Sequence, residues 1–257
     1  MVLAPNPPMV EDKHLRDEVW HCLATVNDPE LDESVTDMGF IDRFEIVKNN
    51  EVIIEFRLPT FWCAPNFAFL MANDMREAVE KLPWVSRAII TLTDHCHADA
   101  INNGVHKGLS FSDAFPEQTE ANLDELREIF RCKAFKMRQE LLLRKLKEIG
   151  YKDSELCLLK IDELVAIVSE DQKFLVLRSR YLEIRKEFGG PYGCDKLAFA
   201  SDIGEAISSE SFVEYLSGLR RVRVNSEFNA NMCRSVLASR YNQNKNARRT
   251  NLCWGHE

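Results

Sequence analysis

The chain has 257 residues, 45% hydrophobic and 29% charged, a composition that fits a globular protein with room for one large or two smaller cores and lies far from those of disordered or membrane chains. A net charge of −8 argues against wholesale nucleic-acid binding, although the stretch from Arg220 to Glu257 is locally basic. Eight cysteines are spread without a C-x-x-C pair, which removes zinc-knuckle and thioredoxin-type motifs. No stretch approaches 18 uncharged apolar residues, and the first ten residues carry neither a basic nor an apolar leader pattern, so no membrane contact and a cytoplasmic location are expected.

From Val10 to Val26, Leu15, Val19, Trp20, Leu23 and Val26 recur at helical spacing among charged residues, and Asp28-Pro29 stops the helix. An irregular segment follows to Gly39. Phe44 and Ile46, then Val52, Ile54, Phe56 and Leu58, alternate with polar residues on either side of Asn49-Asn50, the pattern of a tight antiparallel hairpin. The second strand runs into Pro59-Thr-Phe-Trp-Cys63-Ala-Pro65, after which Phe67, Leu70, Met71, Met75, Ala78 and Leu82 mark a helix with Pro65 in its first turn. Val85 to Leu92 is a nearly continuous apolar run, as in a central strand, ending in Asp94-His95-Cys96-His97-Ala-Asp99. The order predicts an α+β fold, a small two-layer α-β-β-α-β domain over residues 1–100. Residues 101–118, with glycines, serines and Pro116, read as a linker or covering loop, and 119–257 as a mainly α-helical region. Its patterns cover Thr119 to Ile149, Asp153 to Ser169, Gln172 to Phe188 and Asp202 to Leu219, with a break at Gly189 to Gly193.

The strand-helix-strand crossover carries the chemistry. If it is parallel, both strands end at the same edge of the sheet, and Cys63 faces the segment from His95 to Asp99. At a strand-to-helix junction, free N–H groups and the helix dipole favour a thiolate, the form that ligates metal. His95, Cys96, His97 and Asp99 add imidazole, thiol and carboxylate groups within five positions. Strand alternation would aim both histidines away from Cys96 unless the backbone turns there. Asp28, Glu30 and Asp37 flank the region, where turn formation explains the first two as well as acid-base work does. Cys253 and His256 could donate two further ligands at the C-terminus. There is no phosphate loop, nucleophile elbow or H-E-x-x-H helix, so the usual signatures of kinases and hydrolases are missing.

Asp28-Pro29-Glu30, Val35-Thr-Asp37-Met-Gly39-Phe-Ile41, Leu58-Pro-Thr60-x-x-Cys63-Ala-Pro65 and the strand at 85–92, in this order, resemble the SufT/PaaD-like iron–sulfur assembly proteins, the domain-of-unknown-function-59 family, over about residues 15–99. The resemblance implies a non-catalytic factor that assembles iron–sulfur clusters or other metal centres and delivers them to client apo-proteins. It implies transient iron or cluster binding at Cys63, framed by Asp28, Glu30, Asp37 and Thr60. Phe61-Trp62 and the His95-Cys96-His97 run depart from the family pattern and point to a modified, mononuclear metal site. The helical region is then expected to recognise the client, by analogy a diiron component of a multicomponent monooxygenase. Other assembly factors are further expected partners, and a homodimer stays open. The competing expectation is a metal-free adaptor that holds an oxygenase subunit by surface contacts.

Overall fold

In a computed structural model, residues 10–117, 123–188 and 196–250 are described. Contacts divide the chain into two units, one of 1–123 with 229–257 and the other of 124–228. The architecture is mixed α+β, with small sheets near the N-terminus and helices beyond.

The first unit opens with α1 (Val10–Ala24), then β1 (Asn27–Asp28) and β2 (Glu33–Ser34), a two-residue antiparallel pair closing the loop after Pro29. β3 (Ile41–Val47) and β4 (Glu51–Arg57) form the predicted hairpin, with Val47 opposite Glu51. Asn49 and Asn50 make its turn at φ 65° and 59°, the left-handed region that asparagine tolerates better than most residues. α2 (Pro65–Glu80) starts with its proline in the first turn, and β5 (Arg87–Thr93) returns parallel to β4 with Arg57 opposite Thr93. The crossover is therefore the parallel one, and both strands finish at one edge of the sheet.

Val52, Ile54 and Phe56 of β4 and Ala88, Ile90 and Leu92 of β5 point into a single core with Val19 and Leu23 of α1 and Phe69, Ala72, Met75 and Val79 of α2. Burying such side chains stabilises the fold by roughly 1.5–3 kcal/mol each before chain entropy is counted. Trp84 donates its indole N–H to Glu18 on α1 at 2.6 Å, tying that helix to the α2–β5 connection.

Two expectations are corrected here. The sheet order is β3-β4-β5, so β4 is central and the apolar run at 85–92 lies on an edge strand. The edge is covered because residues within 101–118, expected as linker or loop, are largely helical. They lie in α3 (Ala98–Lys107) and α4 (Phe111–Ala114). Asn102 accepts a bond from the Leu92 N–H at 2.8 Å and donates to its carbonyl at 3.1 Å. His106 Nε2 lies 2.9 Å from the Ile90 carbonyl. A strand edge satisfied in this way by side chains can carry apolar residues without exposing backbone groups. Ile101, Val105, Phe111 and Phe115 join the same core.

The second unit holds α5 (Leu123–Glu148, from Asp124), α6 (Asp153–Leu158), α7 (Ile161–Ala166), α8 (Gln172–Arg185) and the start of α9 (Phe212–Thr250). Phe135, Leu142, Leu143, Leu146, Phe174, Tyr181, Phe199 and Phe212 form its core. The helix expected over 153–169 is two short helices, each with a Glu side chain, Glu155 or Glu163, accepting the N–H of its own N-cap residue. The helix expected over 202–219 begins ten residues later and runs far longer, and its part from Asn229 belongs to the first unit. Residues 203–211 instead form turns, in which Ser201, Ser208 and Ser211 bond nearby backbone groups and compete with a helix. The break at 189–193 lies outside the described residues.

Candidate functional site

The site is built where β4 and β5 end side by side. After Arg57, Leu58 and Pro59 remain buried while the chain turns through Thr60, Phe61 and Trp62 to Cys63, one residue before the Ala64 N-cap of α2. Across from it, β5 ends at Asp94, whose φ of 54° breaks the strand alternation. The following residues turn into α3 with His97 as its N-cap. The alternation that would have separated the two histidines from Cys96 therefore does not extend past Thr93.

Two hydrogen bonds lock these loops together. The Cys96 N–H donates to the Phe61 carbonyl at 2.9 Å, and His95 Nε2 lies 2.8 Å from the Cys63 carbonyl. The His97 N–H points at His95 Nδ1 from 3.1 Å. A backbone N–H can only donate and a carbonyl can only accept, so Nδ1 carries the lone pair and Nε2 the proton. Both ring nitrogens of His95 are thereby engaged. Burial, with the charges of His97 and Arg240 adding to it, lowers the His95 pKa, against which the Cys63 carbonyl works in the opposite direction. A neutral imidazole in one tautomer thus holds the main chain of Cys63 against the end of β5.

Cys63 itself is half-buried, with Sγ 3.0 Å from Thr60 Oγ1. Cys96 is exposed, His97 packs edge-on against Phe115 at 5.7 Å, and Asp99 is exposed in the first turn of α3, where an acid suits the helix dipole. On the other flank, Asp28 is buried. Its Oδ1 accepts the N–H groups of Glu30 and Leu31 at 2.9 and 3.0 Å, so this carboxylate builds the turn. Glu30 is half-buried beyond it, and Asp37 is exposed near Gly39. Among the described residues no group of three or more His, Cys, Asp or Glu side chains stands in metal-holding geometry. Cys253 and His256 lie outside the described residues.

Residues 16–90 match the family model described as "Iron-sulfur cluster assembly protein". The match runs from within α1 to the middle of β5 and contains Cys63, Thr60 and the Asp28 turn. It is the same region in which the sequence resembles the SufT/PaaD-like proteins, and it supports a general role in iron–sulfur assembly. The family is of an assembly-factor type and implies interaction with client proteins. No curated protein matches the chain. No helix among the described residues is long and apolar enough to cross a membrane.

Sequence reasoning missed the far part of α9. Ala230, Cys233, Leu237 and Tyr241 recur at spacings of three and four and pack on the core of the first unit. Arg234 pairs with Glu33 on β2. Arg240 binds Asp94 Oδ2 at 2.8 Å and reaches the carbonyls of Asp94, Leu58 and Pro59. Tyr241 bonds Asp94 Oδ2 at 3.1 Å and lies under the Arg57 guanidinium, 4.0 Å from its ring centre. The signal for this contact was present in that apolar stripe, but it lies within the locally basic stretch, where a solvated surface or a partner contact is the plainer reading.

Proposed function

We propose that this protein is a non-catalytic maturation factor that holds iron or an iron–sulfur cluster transiently at Cys63 and passes it to a client apo-protein. The observation that carries the reading is the coincidence of the assembly-family match with a half-buried cysteine whose main chain is fixed by His95. A cargo must leave again, so a site with few protein ligands and an accessible rim suits delivery better than a closed structural cage. Cys63 is the first ligand, and Cys96, His97 and Asp99 are the neighbours within the same turn. His95 positions Cys63. The helical region takes part in client recognition, and the client is a component of a multicomponent oxygenase. The protein works in the cytoplasm with other assembly factors.

A cluster-transfer assay tests this reading. Protein loaded anaerobically with iron and sulfide is expected to restore the absorbance and activity of an apo-acceptor faster than free iron and sulfide do. Transfer no faster than from solution would overturn it.

The second reading, a metal-free adaptor, draws on Phe61 and Trp62, which are 47% and 74% exposed beside Cys63. Large exposed aromatics are the residues that anchor protein interfaces. Under that reading Cys63→Ser leaves client maturation intact, whereas a paired Phe61→Ser and Trp62→Ser change abolishes client capture.

A further inference from the structure

In the first unit, the late part of α9 meets the two loops of the Cys63 site where they leave the sheet. The helix is anchored there by Arg234 on Glu33 and by Leu237, which lies 3.6 Å from where a side chain on Gly39 would begin. Beyond that anchor, two nitrogens of the Arg240 guanidinium serve different strands. Nη1 donates to the carbonyls of Leu58 and Pro59 on the β4 exit, both at 3.4 Å. Nη2 donates to the Asp94 carbonyl at 3.2 Å and pairs with the Asp94 carboxylate at 2.8 Å, on the β5 exit. The Tyr241 hydroxyl bonds the same carboxylate oxygen at 3.1 Å, and the guanidinium of Arg57, the last residue of β4, lies 4.0 Å from the centre of the Tyr241 ring. Asp94 is the residue these contacts hold. Its φ of 54° is a conformation that a residue other than glycine keeps where its surroundings impose it. Directly after that turn, His95 Nε2 reaches the Cys63 carbonyl and the Cys96 N–H reaches the Phe61 carbonyl.

We propose that Arg240 and Tyr241 are positioning residues for Cys63. The guanidinium joins the exits of β4 and β5, both side chains hold the turn at Asp94, and that turn sets the register in which His95 and Cys96 meet the loop of Cys63. This rests on the reading of Cys63 as a cargo ligand and extends the site to two residues outside the family match at 16–90. Neither side chain touches the cargo. A bond from a guanidinium to a carboxylate is charge-assisted and stronger than one between neutral groups. The planar fork also presents its two nitrogens to two strands at once, which the single ammonium of a lysine does not. Loss of the fork uncouples the two exits, and the Cys63 loop then spends part of its time away from the arrangement that His95 holds. A ligand that must be ordered as the ion arrives binds more weakly than one already in place, so the grip on the cargo falls while the ligand itself remains.

Amide hydrogen exchange of the full chain, read by NMR, tests the clamp. Titration of the reduced protein with Co2+ under argon, read by its thiolate and ligand-field bands, tests the consequence, with Cys63→Ser marking the part of the signal that belongs to the site. Arg240→Gln is expected to speed exchange of the Cys96 N–H at least tenfold while amides of β4 keep their protection, to weaken Co2+ binding at least fivefold and to shift the ligand-field band. Tyr241→Phe is expected to speed the same amide at least threefold. Arg240→Lys keeps the charge and is expected to restore less than half of what glutamine loses. Full restoration by lysine would show that charge alone suffices and would overturn the two-strand clamp. Unchanged Cys96 exchange in Arg240→Gln, or a rise matched throughout β4, overturns it as well. Faster exchange with wild-type Co2+ affinity overturns the positioning role and leaves Cys63 as cargo ligand untouched. A wild-type signal that Cys63→Ser does not reduce overturns the cargo reading and this inference together.

Discussion

At the scale of single residues the site turns on His95, whose role differs from the one its residue type suggested. A histidine two positions from another beside a cysteine reads as a metal ligand, but the His97 N–H occupies Nδ1 and the Cys63 carbonyl occupies Nε2. Neither partner is visible in sequence, because both are backbone groups brought in by a turn at Asp94. The neutral ring is required, since a proton on Nδ1 would face the His97 N–H. The folded-state pKa lies below that of an unfolded histidine, about 6.5. The unfolded chain therefore takes up the proton first as pH falls. The stability this ring contributes is complete above that unfolded value and is lost as pH drops through the lower folded one. Nitrogen NMR of labelled protein is expected to show the Nε2–H tautomer at pH 7 and a His95 midpoint below 6.5. A midpoint at or above that value would contradict the hydrogen-bond assignment. The place of Cys63 at a strand-to-helix junction, by contrast, was legible from the strand before it and Pro65 after it, and Asp28 was legible as a turn former, which is how its carboxylate is used.

At the scale of elements, the hairpin, α2 and the parallel crossover were legible because alternation, an Asn-Asn turn and Pro65 each specify local backbone geometry. What was not legible depended on partners distant in sequence. Residues 101–118 carry glycines and serines and read as a loop, yet Gly104 is there because α3 packs closely. A Cβ at that position would stand 2.8 Å from Ala114 Cβ and 2.9 Å from the Phe69 ring. Gly104→Ala is therefore expected to destabilise the first unit by about 1–3 kcal/mol, despite alanine's better helix propensity. Urea denaturation measures this, and a neutral or stabilising result would show that α3 is less tightly packed than described. At the hairpin, Asn49→Val places a β-branched residue at φ 65° and is expected to cost about 1–2 kcal/mol, with Asn49→Gly close to neutral, by the same measurement. For α9, Leu237→Ala removes a buried side chain between the helix and Gly39. It is expected to speed hydrogen exchange over residues 229–241 by at least tenfold while protection in β4 is preserved. Unchanged exchange there would mean that Leu237 does not hold the helix down.

At the scale of the whole molecule, contacts divide the chain differently from its composition. The helical region reads as one block from residue 119, but α9 belongs to the second unit up to Phe228 and to the first from Asn229. The family match covers only residues 16–90, while Arg240 and Tyr241 from the other end of the chain bond the carbonyls of Leu58 and Pro59 and the side chain of Asp94, where β4 and β5 end. This part was not legible because an amphipathic stripe shows that a helix will pack but not on which surface. Residues 16–90 thus match an iron–sulfur assembly family, and the late part of α9 packs on the same unit. The claim on which the rest depends is that Cys63 carries the cargo. It is tested most directly by the iron and acid-labile sulfide content of wild-type and Cys63→Ser protein after anaerobic reconstitution and desalting. Bound iron in the wild type and a loss of at least four-fifths of it in the variant, with an unchanged melting curve, is the expected result. Equal iron content in the two proteins would contradict the account.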